Sequence, residues 1–399
     1  MTATPVSHHQ HGLSLVELMV ALVIGLILTA GVISVYLTSK RSYSTDTGIA
    51  QVQENGRFVL GFMEPVVRMA GFQGCVPPRS ATPVSAISTV SMPAVALYSY
   101  QASGAAATDP TSATVVGYDA SGSDIGDNLT LAATQPLSSA ASDWSPDVDA
   151  TVYAAIKDYA LTGSDILLVH AASADTVPVV DNPAGSGTYD QSTGVYVAAA
   201  DVAGFSAGDL AIISDCQKAA LFQITGTSSG SGPLTMGDSS TPGNDAGKIG
   251  SNWTSKIGLY GQGSTVTVAQ TYIFFIGLSE TDKMPALFRV SLDGSGALNT
   301  PEELVPNIEN MQLVYGVDTD ADQVPERFVS ADTVNTAGNW GRVVAVRIAL
   351  ISRSDDLTLP VAPPAAQDFD LDGTKVTVPL DRRLRKEFVQ TIALRNMLQ

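Results

Sequence analysis

The chain has 399 residues, with 21 Lys and Arg against 39 Asp and Glu, for a formal net charge of −18. So acidic a chain is a poor general binder of nucleic-acid phosphates, which requires clustered cations. With 15% charged and 45% hydrophobic residues it also lacks the charge-rich, apolar-poor profile of a disordered chain, and its length suffices for one large or two ordinary domains.

The first twelve residues hold His8, His9 and His11 but no Lys, Arg, Asp or Glu. Leu13 to Leu37 then reads LSLVELMVALVIGLILTAGVISVYL, with Glu17 as its only charge. About 20 apolar residues in a helix cross a bilayer, and a carboxylate inside such a stretch is costly and marks a functional contact. Cutting after Gly12 would free an amino terminus at Leu13, placing Glu17 fifth in the mature chain. The α-amine of one subunit could then neutralise Glu17 of its neighbour. An ordinary secretory signal differs: it has a basic start, a shorter apolar core and a small-residue cleavage site after that core.

The residues His11-Gly12-Leu13-Ser14-Leu15-Val16-Glu17-Leu18 resemble the leader of type IV pilins and type II secretion pseudopilins. That resemblance implies cleavage after Gly12 and N-methylation of Leu13 by a prepilin peptidase. Leucine stands first where phenylalanine is more usual, and the leader lacks a basic residue. Lys40 and Arg41 follow the span, which by the positive-inside tendency alone would place that end in the cytoplasm. The leader motif and the Ser/Thr/Gly-rich body favour export instead.

Beyond the span, Ile49, Val52, Gly56, Val59, Met63 and Val66 recur at three- and four-residue steps, an apolar stripe of helical period. A single helix is therefore expected from about Leu13 to about Met69, apolar all round in its first half and amphipathic in its second. Gly25, Gly31 and Gly48 weaken it locally, and Pro65 kinks or ends it. Residues 76–160, rich in Ser, Ala, Thr, Gly and Pro, read as short strands and long loops. Strands are expected at 165–170, at 209–214 and 220–225 as a hairpin, at 271–276 and at 286–290. The β-branched run 343–351 reads as a central strand, 384–394 as a last strand or a short helix, and 226–250 as loop. Cys75 and Cys216 are the only cysteines. In an exported body a disulfide is the expected use of such a pair, with two free buried thiols as the alternative. Closing so long a loop is worth ~4–5 kcal/mol in the chain-entropy account.

A narrower resemblance is spread along the chain. Glu54-Asn55-Gly56-Arg57-Phe58, then Arg68 to Cys75, Gly208 to Cys216 with Ala220 to Thr225, Glu309 to Asp320 and Val343 to Arg353 resemble the PilW family of minor pilins. This implies a structural subunit of a complex that primes type IV pilus assembly at or near the tip, with twitching motility as the output. The implied partners are the prepilin peptidase, other minor pilins, the major pilin, an inner-membrane assembly platform and a tip adhesin. A minor pseudopilin, or an adhesive or ligand-binding head, is the alternative. The implied fold is α+β and pilin-like, a long helix packed on an antiparallel sheet. Residues 1–12 form the leader, 13–37 the membrane and assembly half of the helix, 38–70 its amphipathic half, and 71–399 a β-rich head, periplasmic and later at the cell surface.

Two acidic stretches suggest calcium. Asp318, Asp320, Asp322 and Glu326 offer alternating hard oxygens, which Ca²⁺ takes six to eight at a time. Gln323 stands where the loop glycine belongs, and Val329 at the twelfth position in place of Glu. Asp368-Phe369-Asp370-Leu371-Asp372-Gly373 begins the same motif, but Pro379 holds its closing position. No cofactor is required, and no enzymatic arrangement stands out. The mature chain keeps a lone histidine, His170, in an apolar strand, where a structural role is the usual one. Gly230-Ser231-Gly232 is a loop and no strand-to-helix elbow. The basic run Arg382, Arg383, Arg385, Lys386 reads as a salt-bridged surface.

Overall fold

The computed structural model describes residues 14–72, 74, 84–85, 114–181, 191, 194–198, 200–227, 233–237, 244, 259–292, 298–355, 357–359 and 361–397. The expectations placed on Gly12, Leu13, Cys75, residues 76–83 and 86–113 and Gly230-Ser231-Gly232 lie outside the described residues.

Helix α1 runs unbroken over Leu15–Arg68. It begins with a capping box: Ser14 Oγ accepts the Glu17 N–H at 3.2 Å, and Glu17 Oε2 accepts the Ser14 N–H at 3.4 Å. Two otherwise unpaired amides are thereby satisfied, and the carboxylate sits at the positive end of the helix dipole. Pro65 lies inside the helix and does not end it at once; the last turn closes at Met69, whose N–H reaches Pro65 O. The head covers one stripe, Gly48, Val52, Gly56, Val59, Leu60, Met63 and Val67. The expected stripe is corrected at its start, since Gly48 is buried and Ile49 exposed; at its end Val66 is half-buried against the core and Val67 is buried beside it. Glycine at 48 and 56 is a matter of close approach: a Cβ there would collide with Thr358 and with the Phe388 ring, respectively.

The first strands of the head are β1 (Val84–Ser85), β2 (Val115–Ala120), β3 (Asn128–Thr130), β4 (Trp144–Ser145), β5 (Ile166–Pro178) and β6 (Gly194–Tyr196). Then come β7 (Leu210–Ser214), β8 (Ala219–Gln223), β9 (Gly226–Thr227), β10 (Pro233–Thr235), β11 (Thr265–Leu278), β12 (Pro285–Ser291) and β13 (Glu302–Pro306). The last are β14 (Ile308–Val317), β15 (Arg327–Val329), β16 (Val343–Arg353), β17 (Asp368–Leu371), β18 (Thr374–Thr377) and β19 (Arg385–Ala393). The 209–225 hairpin forms as β7–β8. Residues 226–250 are not all loop, because β10 pairs there with β9 on one side and with β6 on the other. The short helix α2 (Ala150–Ile156), capped by Asp149, arises in a stretch read as strands and loops; α3 is Ala331–Thr336.

Long β11 organises the large sheet, whose path is β1-β8-β7-β11-β5-β2-β4. One edge of β11 pairs with β5. Its other edge forks: Thr265–Val268 pair with β7, whereas Tyr272–Leu278 pair with β12. A second sheet, β15-β14-β16-β19, puts β16 in its interior as expected and β19 at its edge. The fork separates two cores. The larger joins the α1 stripe to both sheets through Val169, Phe274, Ile276, Leu313, Tyr315, Val346 and Ile348. The other lies on the β7 side of the fork, around Val195, Phe205, Ile213, Phe222, Leu234 and Tyr260. At about 25 cal/mol per Å² of buried apolar surface, each core supplies its own reason to fold.

Candidate assembly helix and acidic loop

The first half of α1 lies outside the head. Leu15, Val16, Ile27, Leu28 and Val35 are each more than half exposed, and the stretch is long and apolar enough to cross a membrane. Hydroxyls within it are satisfied internally: Thr29 Oγ1 donates to Gly25 O at 2.7 Å and Thr38 Oγ1 to Ser34 O at 2.9 Å. In a medium without water such back-bonding removes the penalty of an unpaired group. Gly25 and Gly31 face open space, which leaves room for another helix to come close. Glu17 therefore has a local use, the capping box, that sequence reasoning missed although Ser14-x-x-Glu17 is its signature.

The structure brings together all four expected acidic residues of the loop after β14. Asp318, Asp320, Asp322 and Glu326 each present a carboxylate oxygen within 4.8 Å of the others. Asp318 is buried, and the other three are exposed. Where the motif glycine is missing, Gln323 itself adopts a left-handed backbone at φ 71, as Ala321 does at φ 69, a conformation that ordinarily favours glycine. Loop amides turn inward: Asp318 accepts the N–H of Ala321 at 2.6 Å and of Gln323 at 3.1 Å. Glu326 Oε2 accepts the N–H and hydroxyl of Thr319, which hold its carboxyl below the usual range. At Asp320 the Asp322 N–H acts to lower the pKa, but burial and the carboxylates Asp322, Glu326 and Asp318 together raise it. Four carboxylates so close, with Arg342 engaged on the Thr319 carbonyl at 2.7 Å, form a hard-oxygen donor set of the kind Ca²⁺ takes.

The second acidic stretch does not gather. It forms the β17–β18 hairpin, and its carboxylates go separate ways: Asp368 to Thr377 and Lys375, Asp370 to the Gly373 N–H, and Asp372 to Arg347. His170 is buried, its Nδ1 is 2.9 Å from Thr271 Oγ1, and burial pushes its pKa down to about 3, so it is neutral.

The basic run splits as well. Arg382 and Lys386 are exposed, but Arg385 is buried and clamped. Its Nε and Nη2 reach Glu309 at 2.5 and 3.0 Å, and its Nη1 and Nη2 reach Asp381 at 2.7 and 3.0 Å. Arg353 Nη1 adds a third arm to Glu309 at 3.3 Å. This network ties β14, β16 and β19 at one end of their sheet. A buried uncompensated acid pair lies elsewhere. Asp165 accepts the N–H of Ala120 and of Leu313, each at 2.8 Å, bridging the two sheets. Asp119 accepts the Asp332 N–H at 2.8 Å. Near Cys216, Gly74 comes against the Ser214 side chain, and among the described residues no cysteine is a free thiol.

Residues 273–396 match the family described as Type IV Pilus-assembly protein W, and residues 7–33 match the prokaryotic N-terminal methylation motif. No curated protein matches the chain. Among solved structures, a type IV-like pilin from Thermus thermophilus is 12% identical, covering 33% of this chain and 67% of that one, with a TM-score of 0.18. The longer match runs from the second half of β11 through β19, so it contains all of β15-β14-β16-β19, the sheet on which α1 chiefly packs.

Proposed function

We infer, for a chain that is a type IV pilus minor pilin of the PilW type, an assembly role that begins at its amino terminus. Such a subunit is anchored by its apolar helix, is processed by prepilin peptidase through the methylation motif, and meets other pilus components. The family points to a structural role rather than an enzymatic one. In our reading the peptidase cuts after Gly12 and methylates Leu13, the head lies in the periplasm, and the subunit joins other minor pilins and the major pilin on the inner-membrane platform. It then sits in a priming or tip complex that can carry an adhesin. One observation supports this above all: a single unbroken helix joins the two matched segments, its apolar start lying in one match and its later half packing on the sheet β15-β14-β16-β19 of the other.

Within that role Glu17 sets axial register. An unpaired carboxylate among apolar helices is penalised, and one meeting the Leu13 amine of a neighbour is tolerated. Mass spectrometry of the protein from cells tests the processing step. The expected product starts at methylated Leu13, and an intact Met1 contradicts it. The same digest, run without reduction, is expected to hold a peptide pair linked through Cys75 and Cys216, a pairing that the approach of Gly74 to Ser214 favours.

Calcium at Asp318, Asp320, Asp322 and Glu326 is the second part of the proposal, supported by their mutual reach. The ion would offset the repulsion of four carboxylates. Calorimetry is expected to show heat on adding millimolar Ca²⁺ to the protein, and Asp320→Asn with Asp322→Asn is expected to abolish it. No heat with the unaltered chain rejects the site.

A further inference from the structure

The head is laid along α1 in order. Gly48 lies against Thr358, Gln51 Oε1 accepts the Asp355 N–H at 3.3 Å, Gly56 faces Phe388, Glu64 accepts from Gln390 at 2.8 Å, and Ala70 O accepts from Asn396 at 3.0 Å. The end of the head nearest the apolar half of α1 is therefore built from the loop after β16 and the turn before β19. These two segments are joined by a hydrogen bond from the Leu359 N–H to Arg382 O at 2.8 Å.

That end is unlike the rest of this acidic chain. From Leu357 to Gln367 the sequence LTLPVAPPAAQ carries no charge. Leu357 is 50% exposed, Val361 75% and Leu380 58%, so three aliphatic side chains project where the core does not need them. The helix at this level has just left a run of residue types that settle among lipid headgroups, Tyr36, Lys40, Arg41 and Tyr43, all exposed. Gly48 is five residues past Tyr43, about 7.5 Å along the axis, and a tilt of about 20° is ordinary for a spanning helix and would lower the side that carries the head.

We propose that Leu357, Val361 and Leu380 form a seat by which the head rests on the same bilayer that holds α1. The three side chains enter the boundary between headgroups and acyl chains, and exposed Arg382 meets lipid phosphates. Asp46 and Asp355 are exposed at the same level, so apolar contact and not net charge carries the attachment. The seat fixes the angle of the head over the membrane before the subunit is drawn into a filament, and extraction from the bilayer uncovers it. This inference rests on residues 15–37 being a span.

The test uses the full-length chain in vesicles of phosphatidylethanolamine and phosphatidylglycerol, with some lipids brominated on the acyl chain near the headgroup. Val361→Trp, at an exposed site, is expected to lose at least twice the fraction of tryptophan emission that the unaltered chain loses, and Leu357→Trp is expected to behave likewise. Equal quenching in the variants and the unaltered chain overturns the seat. So does shielding of position 361 that appears only when a second pilin chain is added, which would assign the face to a protein partner. Flotation and alkaline extraction of the same vesicles read the span separately. A chain that floats, resists extraction and shows no added quenching defeats the seat alone, whereas a chain that is extracted defeats the span and the seat with it.

Discussion

At the scale of single residues, the most consequential groups lie where sequence periodicity says little. Asp119 and Asp165 are buried acids without a cation on their carboxylates among the described hydrogen bonds and ion pairs. Burial, the larger cause, and for Asp165 the charge of Asp119 next, push Asp119 up to about 7 and Asp165 well above the carboxylate range. Tyr315, packed close by, is raised by burial and by both acids. A pKa raised in the folded state means that the fold binds the proton more tightly than the unfolded chain does. The stabilising contribution is complete below the unfolded value near 4 and is lost as pH rises through about 7. Thermal denaturation is therefore expected to show a head more stable at pH 5 than at pH 7.5, by ~2–4 kcal/mol. Asp119→Asn is expected to make that slope shallower while leaving the share that the burial of Asp165 carries, and a slope unchanged by the substitution contradicts the assignment. Below about pH 4 the opposite effect enters: partial burial acts to raise Asp381, but Arg385 and the Arg383 N–H outweigh it and hold the carboxyl low in the fold, so stability is lost as pH falls. None of these roles was legible. Glu309 and Arg385 read as one acid and one member of a basic cluster, and only the strand pairing that brings β14 and β19 to either side of β16 makes them partners.

At the scale of elements, legibility followed periodicity. The helix over Leu15–Arg68, the β7–β8 hairpin and β16 could be read because each has a strong apolar pattern and a length that one structure satisfies. The stripe of α1 was misread by one residue at its start, since glycine carries no hydrophobic signal and Gly48 is buried through the close approach of Thr358. Strands β9 and β10 were missed because two or three residues hold too little pattern, and α2 because its seven residues are specified by the Asp149 cap more than by any stripe. The same closeness makes a prediction for the α1–β19 contact. Gly56→Val would thrust a side chain into the Phe388 ring, at an expected cost of ~1–3 kcal/mol in denaturant unfolding. In a Phe388→Ala background the cost is expected to shrink, because the colliding ring is gone. Equal costs in both backgrounds would mean that the helix and the strand do not press on each other at this point.

At the scale of the whole molecule, the chain divides by what each part is for. The membrane half of α1 makes no use of the head, the amphipathic half builds a core with the matched β-sheet, and the lobe beyond the fork of β11 has a core of its own. The PilW match stops short of that lobe, although Gly208 to Cys216 and Ala220 to Thr225, which carry part of the resemblance, lie within it; the lobe is left without an assigned task. Assembly then turns on whether Glu17 acts by its charge or only by capping its own helix. Glutamine serves in a capping box nearly as well as glutamate but cannot neutralise an amine, so the two roles come apart in a single substitution. The deciding measurement is the amount of this subunit in sheared, purified pili from cells that make Glu17→Gln at normal levels in the membrane. The account predicts that the variant is processed and anchored yet at least tenfold depleted from filaments; incorporation equal to that of the unaltered chain would contradict it.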